Sequence, residues 1–137
     1  RIRPILLKSN NFQPIRRRRG NRRFRRGLLR VYRQQCAITG EGLVDVLEAA
    51  HIEPHSARGR NSLDNGLLLR ADIHTLFDLG LLKIEPRSLT VQIHRNLRST
   101  TYEPLDGKTL ASRGDGLSPN AEYLRVKYEQ PARLRFE

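Results

Sequence analysis

Three side chains in this sequence could do chemistry together: His51, Asn65 and His74, at gaps of 14 and 9 residues. They sit in Ala50-His51-Ile52-Glu53-Pro54, in Asp64-Asn65-Gly66 and in Ile73-His74-Thr75-Leu76-Phe77-Asp78. With an unperturbed pKa of about 6.5, His51 can take a proton from water. Asn65 can fix that ring by hydrogen bonding to its other nitrogen, through backbone or side chain. His74 and Asp78 are spaced i, i+4 and share one face of a helix. A neutral imidazole and a carboxylate placed there can hold one divalent cation. Such a cation would bind a scissile phosphate and stabilise charge on the leaving oxygen. A proton acceptor, a residue to orient it and a metal ligand form the set needed to hydrolyse a phosphodiester.

The elements that must position these residues follow from the hydrophobic pattern. Between Arg22 and Gln35, the residues Phe24, Leu28, Val31, Tyr32 and Gln35 fall on one helical face. That predicts a helix docked by its apolar stripe, with Arg22, Arg23, Arg25, Arg26, Arg30 and Arg33 mostly turned outward. Cys36 to Gly40 reads as a short strand ending in a turn, and Val44 to Ile52 as a second strand stopped by Pro54. His55 to Asn65 is a polar loop carrying Arg58 and Arg60. Gly66 to Leu69 reads as a strand, and Ala71 to Leu79 as a short helix with Gly80 as its stop signal. Leu81 to Ile84 and Leu89 to Ile93 read as strands joined at Glu85-Pro86-Arg87-Ser88. After a loop over 99–118, Ser118 reads as the cap and Pro119 as the first residue of a last helix, running to about Tyr128. Pro4, Pro14 and the run Arg16-Arg17-Arg18-Arg19 make residues 1–20 an extended basic arm. Residues 21–137 are then one α+β domain, with the motif core over 36–84.

Charge is unevenly placed. Of 26 Lys and Arg residues, 13 fall within residues 1–35, where there is no acid; the remainder carries 13 bases and all 14 acids. The net charge of +12 therefore belongs to the N-terminal quarter. Such a block self-repels unless a polyanion neutralises it, which points to nucleic acid, with a solvated tail or an acidic lipid surface as the alternatives. Arginines of this block, with Arg58 and Arg60, are candidates for binding phosphates that flank the reacting one. The hydrophobic fraction of 37% supports a modest core. No apolar run approaches the roughly 20 residues needed to span a bilayer, and no secretory h-region is visible. One cysteine, Cys36, excludes an intramolecular disulfide and a cysteine-rich zinc site, so a cytoplasmic protein is expected. The chain begins at Arg1 and has no Met, which reads as a segment of a longer protein.

The ordered motifs resemble those of HNH endonucleases, the ββα-metal superfamily. A bacterial branch reads roughly as a basic helix, C-x-x-T-G, L-x-A-A-H-I-x-P, N-G-L-L-L and H-x-L-F-D-x-G-L. Here these are Phe24-Arg25-Arg26-Gly27-Leu28-Leu29, Cys36-Ala37-Ile38-Thr39-Gly40, Leu47-Glu48-Ala49-Ala50-His51-Ile52-Glu53-Pro54, Asn65-Gly66-Leu67-Leu68-Leu69 and His74-Thr75-Leu76-Phe77-Asp78-Leu79-Gly80-Leu81. The resemblance spans about residues 22–93. It implies a ββα core with a basic N-terminal helix and further C-terminal strands and helix. It implies His51 as general base, Asn65 as the residue that orients it and His74 as metal ligand. Asp78 stands where colicin-type nucleases place a second helical histidine, which implies a second ligand. The implied reaction is metal-dependent hydrolysis of DNA to 5′-phosphate and 3′-hydroxyl ends, with Mg²⁺ or Mn²⁺ foremost and Zn²⁺ or Ni²⁺ as alternatives.

Two positions depart from the family pattern. Many members carry Asp or His just before the base; Ala50 cannot coordinate. The metal would then lean on His74, Asp78, Asn65, water and the substrate phosphate, which implies weak or substrate-assisted binding. Relatives with paired C-x-x-C motifs hold a structural zinc; here the second position is Thr39, so none is expected. His55 and His94 read as surface residues, Leu76 and Phe77 as core, and Cys36 as a small buried hydrophobe. A restriction or antiphage role, a homodimer for double-strand cuts and a sensor domain outside this sequence are further expectations of the resemblance. The competing readings are a non-catalytic nucleic-acid-binding module on a degenerate nuclease scaffold, and a basic structural protein with incidental histidines.

Overall fold

A computed structural model describes residues 21–54 and 60–134. The arm over 1–20, with Arg16 to Arg19, and the loop residues His55 and Arg58 lie outside the described residues. The first helix, α1, covers Arg22–Val31. Asn21 caps it, its side-chain oxygen accepting from the Phe24 N–H at 3.1 Å. Phe24, Gly27, Leu28 and Val31 form its buried face. The helix stops short of the expected Gln35. Arg33 and Gln34 take left-handed φ values of 56° and 59°, and the Gln34 N–H closes on the Leu29 carbonyl at 2.8 Å.

Cys36 to Gly40 is a tight turn, not the strand expected from its residues. The Gly40 N–H donates to the Cys36 carbonyl at 3.0 Å, and Gly40 has φ 79°. The Cys36 sulfur is buried and accepts the backbone N–H groups of Thr39 at 3.4 Å and Arg70 at 3.3 Å. These bonds draw the segment into a knuckle under the sheet. The next strand begins later than expected, because Val44–Val46 is a 3₁₀ turn.

Strand β1, Leu47–His51, pairs antiparallel with β2, Gly66–Arg70. Both are apolar and buried almost throughout, sandwiched between α1 and a second helix. That helix, α2, covers Ala71–Leu79 and ends as expected at Gly80, which takes the left-handed φ of 74°. Ile73, Leu76 and Phe77 are buried on its inner face. Two strands and this helix form the ββα unit. In the strand register His51 faces Gly66. A Cβ at Gly66 would lie 2.5 Å from the Phe24 ring, so glycine is what lets α1 approach the sheet beside His51.

A second hairpin follows: β3, Leu82–Ile84, and β4, Val91–Ile93, pair antiparallel. Glu85 closes its turn by accepting the N–H groups of Arg87 and Ser88. The last helix, α3, covers Ala121–Glu129 and packs Leu124 against this layer. Its cap is Asn120, not Ser118: the Asn120 side chain accepts from the Tyr123 N–H at 3.0 Å. Pro119 precedes the cap and is buried there. The fold is α+β. Among the described residues no helix is long and apolar enough to cross a membrane.

Candidate active site

His51 ends β1 half-buried at the sheet edge. Its ring stacks on Phe24 with centroids 4.6 Å apart and planes 10° from parallel. Its Nε2 lies 2.8 Å from the side-chain oxygen of Asn61. An amide oxygen only accepts, so Nε2 carries the proton and Nδ1 keeps its lone pair. Asn61, an exposed residue of the polar loop, thus takes the ring-orienting place expected of Asn65. Asn65 is wholly buried and spends its side chain on backbone. It accepts from the Glu53 N–H at 2.9 Å and donates to the carbonyls of Glu53 and Arg60 at 3.1 and 2.9 Å. Its own carbonyl accepts from the Ile52 N–H at 3.0 Å. Asn65 therefore ties the two ends of the loop that carries Asn61, with its buried side chain bonded to backbone.

His74 projects from α2 toward β1. Its Nδ1 lies 2.7 Å from the Glu48 carboxylate, and its Nε2 3.3 Å from the Asp78 carboxylate. The Glu48 side chain is only 6% exposed. A buried acid needs a partner, and Glu48, the one charge inside Leu47-Glu48-Ala49-Ala50, carried that signal in the sequence without showing which residue met it. Asn61 gave no signal, being one polar residue among many in its loop. His51, His74 and Asp78 line one cleft of about 450 Å³. Its far wall comes from the C-terminal end of the chain, including Lys127 and Arg133.

Residues 36–85 match the family model described as HNH endonuclease. Over these residues the chain is similar to the HNH endonuclease family. A solved structure titled "Modification dependent TagI restriction endonuclease" shares the fold, with TM-score 0.57 and 22% identity over 74% of this chain. The match covers 34% of that protein, so this chain spans about a third of its length. No curated protein matches the sequence.

Around this site the arginines divide by where the fold puts them. Arg22, Arg23 and Arg26 are exposed on α1, and Arg60 is exposed in the loop. Arg25 is not turned outward: its guanidinium donates to the Val44 and Leu47 carbonyls at 3.0 and 3.3 Å, pinning the turn before β1. Lys127, half-buried at the cleft, has its pKa pulled down by burial, with Arg133 and Lys83 adding to the effect against Asp78 and Glu53.

The donor set fits a divalent ion loosely. Nδ1 of His74 is committed to Glu48, which leaves Nε2, beside the Asp78 carboxylate, as the ligand atom. Among the described residues no group of three or more His, Cys, Asp or Glu side chains is placed to hold a metal. One imidazole and one carboxylate on a single helix face would leave most of a coordination shell to water and phosphate oxygens.

Proposed function

We propose that the HNH domain is a metal-dependent DNA endonuclease, with His51 as general base and His74 and Asp78 as ligands of one divalent ion. The observation that carries this reading is that the three side chains line a single cleft, each histidine being fixed through one ring nitrogen. Asn61 holds the Nε2 proton of His51, and the Phe24 stack holds the ring plane, so Nδ1 is the atom that takes a proton from the attacking water. Glu48 fixes the His74 tautomer so that Nε2 faces Asp78. A bound Mg²⁺ or Mn²⁺, with Zn²⁺ or Ni²⁺ as alternatives, would polarise the scissile phosphate and stabilise the leaving oxygen. Arg22, Arg23, Arg26 and Arg60 would carry flanking backbone phosphates, joined by the Arg16 to Arg19 run and Arg58. This reading divides the chain into a basic arm over 1–20 and a nuclease domain over 21–137. It places the protein in a bacterial cytoplasm, in restriction or antiphage defence, with a sensor domain elsewhere and a second copy for double-strand cuts.

Plasmid cleavage in Mg²⁺ or Mn²⁺ tests it. Wild type should nick or linearise DNA, and His51→Ala should lose roughly 10²–10⁴-fold in rate while staying folded. Equal cutting by His51→Ala would remove the assigned base. The second reading, a DNA-binding module on a degenerate HNH scaffold, is favoured by Ala50, which is fully buried and cannot coordinate. Salt-sensitive DNA binding with no cleavage under any divalent ion would establish it.

A further inference from the structure

The sequence concentrates positive charge at its N-terminus, yet two cations that line the cleft come from the other end. Lys127, on α3, and Arg133, just after it, line the cleft with His51, His74 and Asp78. Both donate to one acceptor, the main-chain carbonyl of Asp78, at 3.1 and 2.6 Å. That carbonyl belongs to the last turn of α2, whose dipole favours cations. The pair is thereby anchored at the residue whose carboxylate sits beside His74 Nε2.

The anchoring is rigid. The Arg133 backbone N–H donates to the Leu79 carbonyl at 2.8 Å, and Lys83 ties down the Tyr128 and Gln130 carbonyls at 3.0 and 2.7 Å. A Cβ on Gly80 would come within 3.1 Å of Ala132, so the glycine that stops α2 is also what lets this segment lie against it. An ammonium has three N–H donors and a guanidinium five. Among the described residues each cation's side-chain hydrogen bond goes to the Asp78 carbonyl, the Lys127 ammonium also lying 5.2 Å from the centre of the Phe77 ring, and neither makes an ion pair. Two fixed cations with spare donors face the Asp78 carboxylate, with Glu53 also acting on Lys127, and neither acid pairs with them directly.

We propose that Lys127 and Arg133 clamp a backbone phosphate next to the scissile one, from the C-terminal wall of the cleft. The proposal rests on the nuclease reading for which strand is held, and on the cation pair alone for the phosphate. It makes the C-terminal helix and the segment after it part of the substrate site.

The test is DNA binding by the full chain without metal, followed by anisotropy of a short labelled duplex from 50 to 300 mM salt. Each phosphate contact contributes about 0.9 to the slope of log K against log salt. Lys127→Gln and Arg133→Gln should each lower that slope by about 1, and the double variant by about 2, with Lys127→Arg keeping the wild-type slope. In Mn²⁺-dependent cleavage the Gln variants should raise KM more than they lower kcat. A pair that only caps α2 would change the melting temperature and leave the slopes alone; unchanged slopes overturn the proposal. A second measurement needs no variant: acetylation of Lys127 in wild type, read by mass spectrometry, should fall when DNA is bound, and equal labelling would also overturn it. Wild-type protein that binds but cuts under no divalent ion would sink the nuclease reading and leave the slopes to judge the clamp.

Discussion

Replacing Glu48 probes the least visible part of the site. Its carboxylate sits 2.7 Å from His74 Nδ1, in the range of a charge-assisted hydrogen bond. Its side chain is 6% exposed, so water cannot replace it. Glu48→Ala should leave a buried N–H without its acceptor, at a cost of about 1–3 kcal/mol in stability. The functional loss should be of similar size. Removing the carboxylate behind a ligating histidine typically costs 10–100-fold in metal affinity, or about 1.4–2.7 kcal/mol. Glu48→Gln separates the two effects, because an amide oxygen still accepts from Nδ1 but carries no charge. It should keep most of the stability while still weakening Mn²⁺ binding. Calorimetric titration of Mn²⁺ and urea unfolding read the two quantities, and long-range proton–nitrogen NMR of His74 should show its proton on Nδ1. Wild-type Mn²⁺ affinity and cleavage in Glu48→Ala would refute the argument, since His74 would then need no partner to present Nε2.

Three further variants have outcomes set by the fold. Asn65→Ala strips three backbone groups of their partner inside the protein and should cost roughly 3 kcal/mol or more in urea unfolding. Asn61→Ala removes a bond made by an exposed residue and should stay within about 0.5 kcal/mol of wild type, yet slow cleavage by freeing the His51 ring. Burial pushes the Asp72 carboxyl up, but hydrogen bonds from Arg70 and Tyr102 outweigh it and hold the pKa below its ordinary value. A group whose pKa is lowered by folding stabilises the native state above its unfolded pKa, and that contribution fades as pH falls through the folded pKa. Asp72→Asn should therefore be less stable than wild type at pH 7, and the gap should close as pH falls below about 4, the unperturbed carboxylate range, in unfolding curves taken across pH.

The parts of this fold that could be read from the sequence are those that local pattern decides. The α2 helix has a clean apolar face and a glycine at its stop, so its limits, Ala71–Leu79, follow from its own residues. The end of α1 does not, because Arg33 and Gln34 carry no turn signal yet take left-handed backbone. The knuckle that follows is itself hidden, since nothing local announces that the Cys36 sulfur will accept the N–H of Arg70. The site divides in the same way. His51, His74 and Asp78 stand out by type and spacing, whereas their partners are chosen by the fold. Lys127 and Arg133 reach Asp78 across 49 and 55 residues of sequence. Charge counted along the chain assigns the positive field to the N-terminus; charge counted in space puts two cations at the cleft.

Ala50 takes its meaning from its place on the strand. Residues two apart on a strand face the same side, so Ala50 shares its side with Glu48, the side that α2 covers and from which Glu48 reaches His74. Ala50 is fully buried opposite Leu67. A ligand at position 50 would have approached His74 from the strand, and a carboxylate there would have to be desolvated beside the Glu48 charge. Alanine avoids that like-charge burial and lets the strand sit close under α2. The strand keeps the residue that holds His74 and puts no donor at position 50. A site built this way fixes His74 firmly and coordinates little by itself. An ion there would have to draw on water and phosphate oxygens, and the cations on the opposite wall are placed to bring that phosphate in.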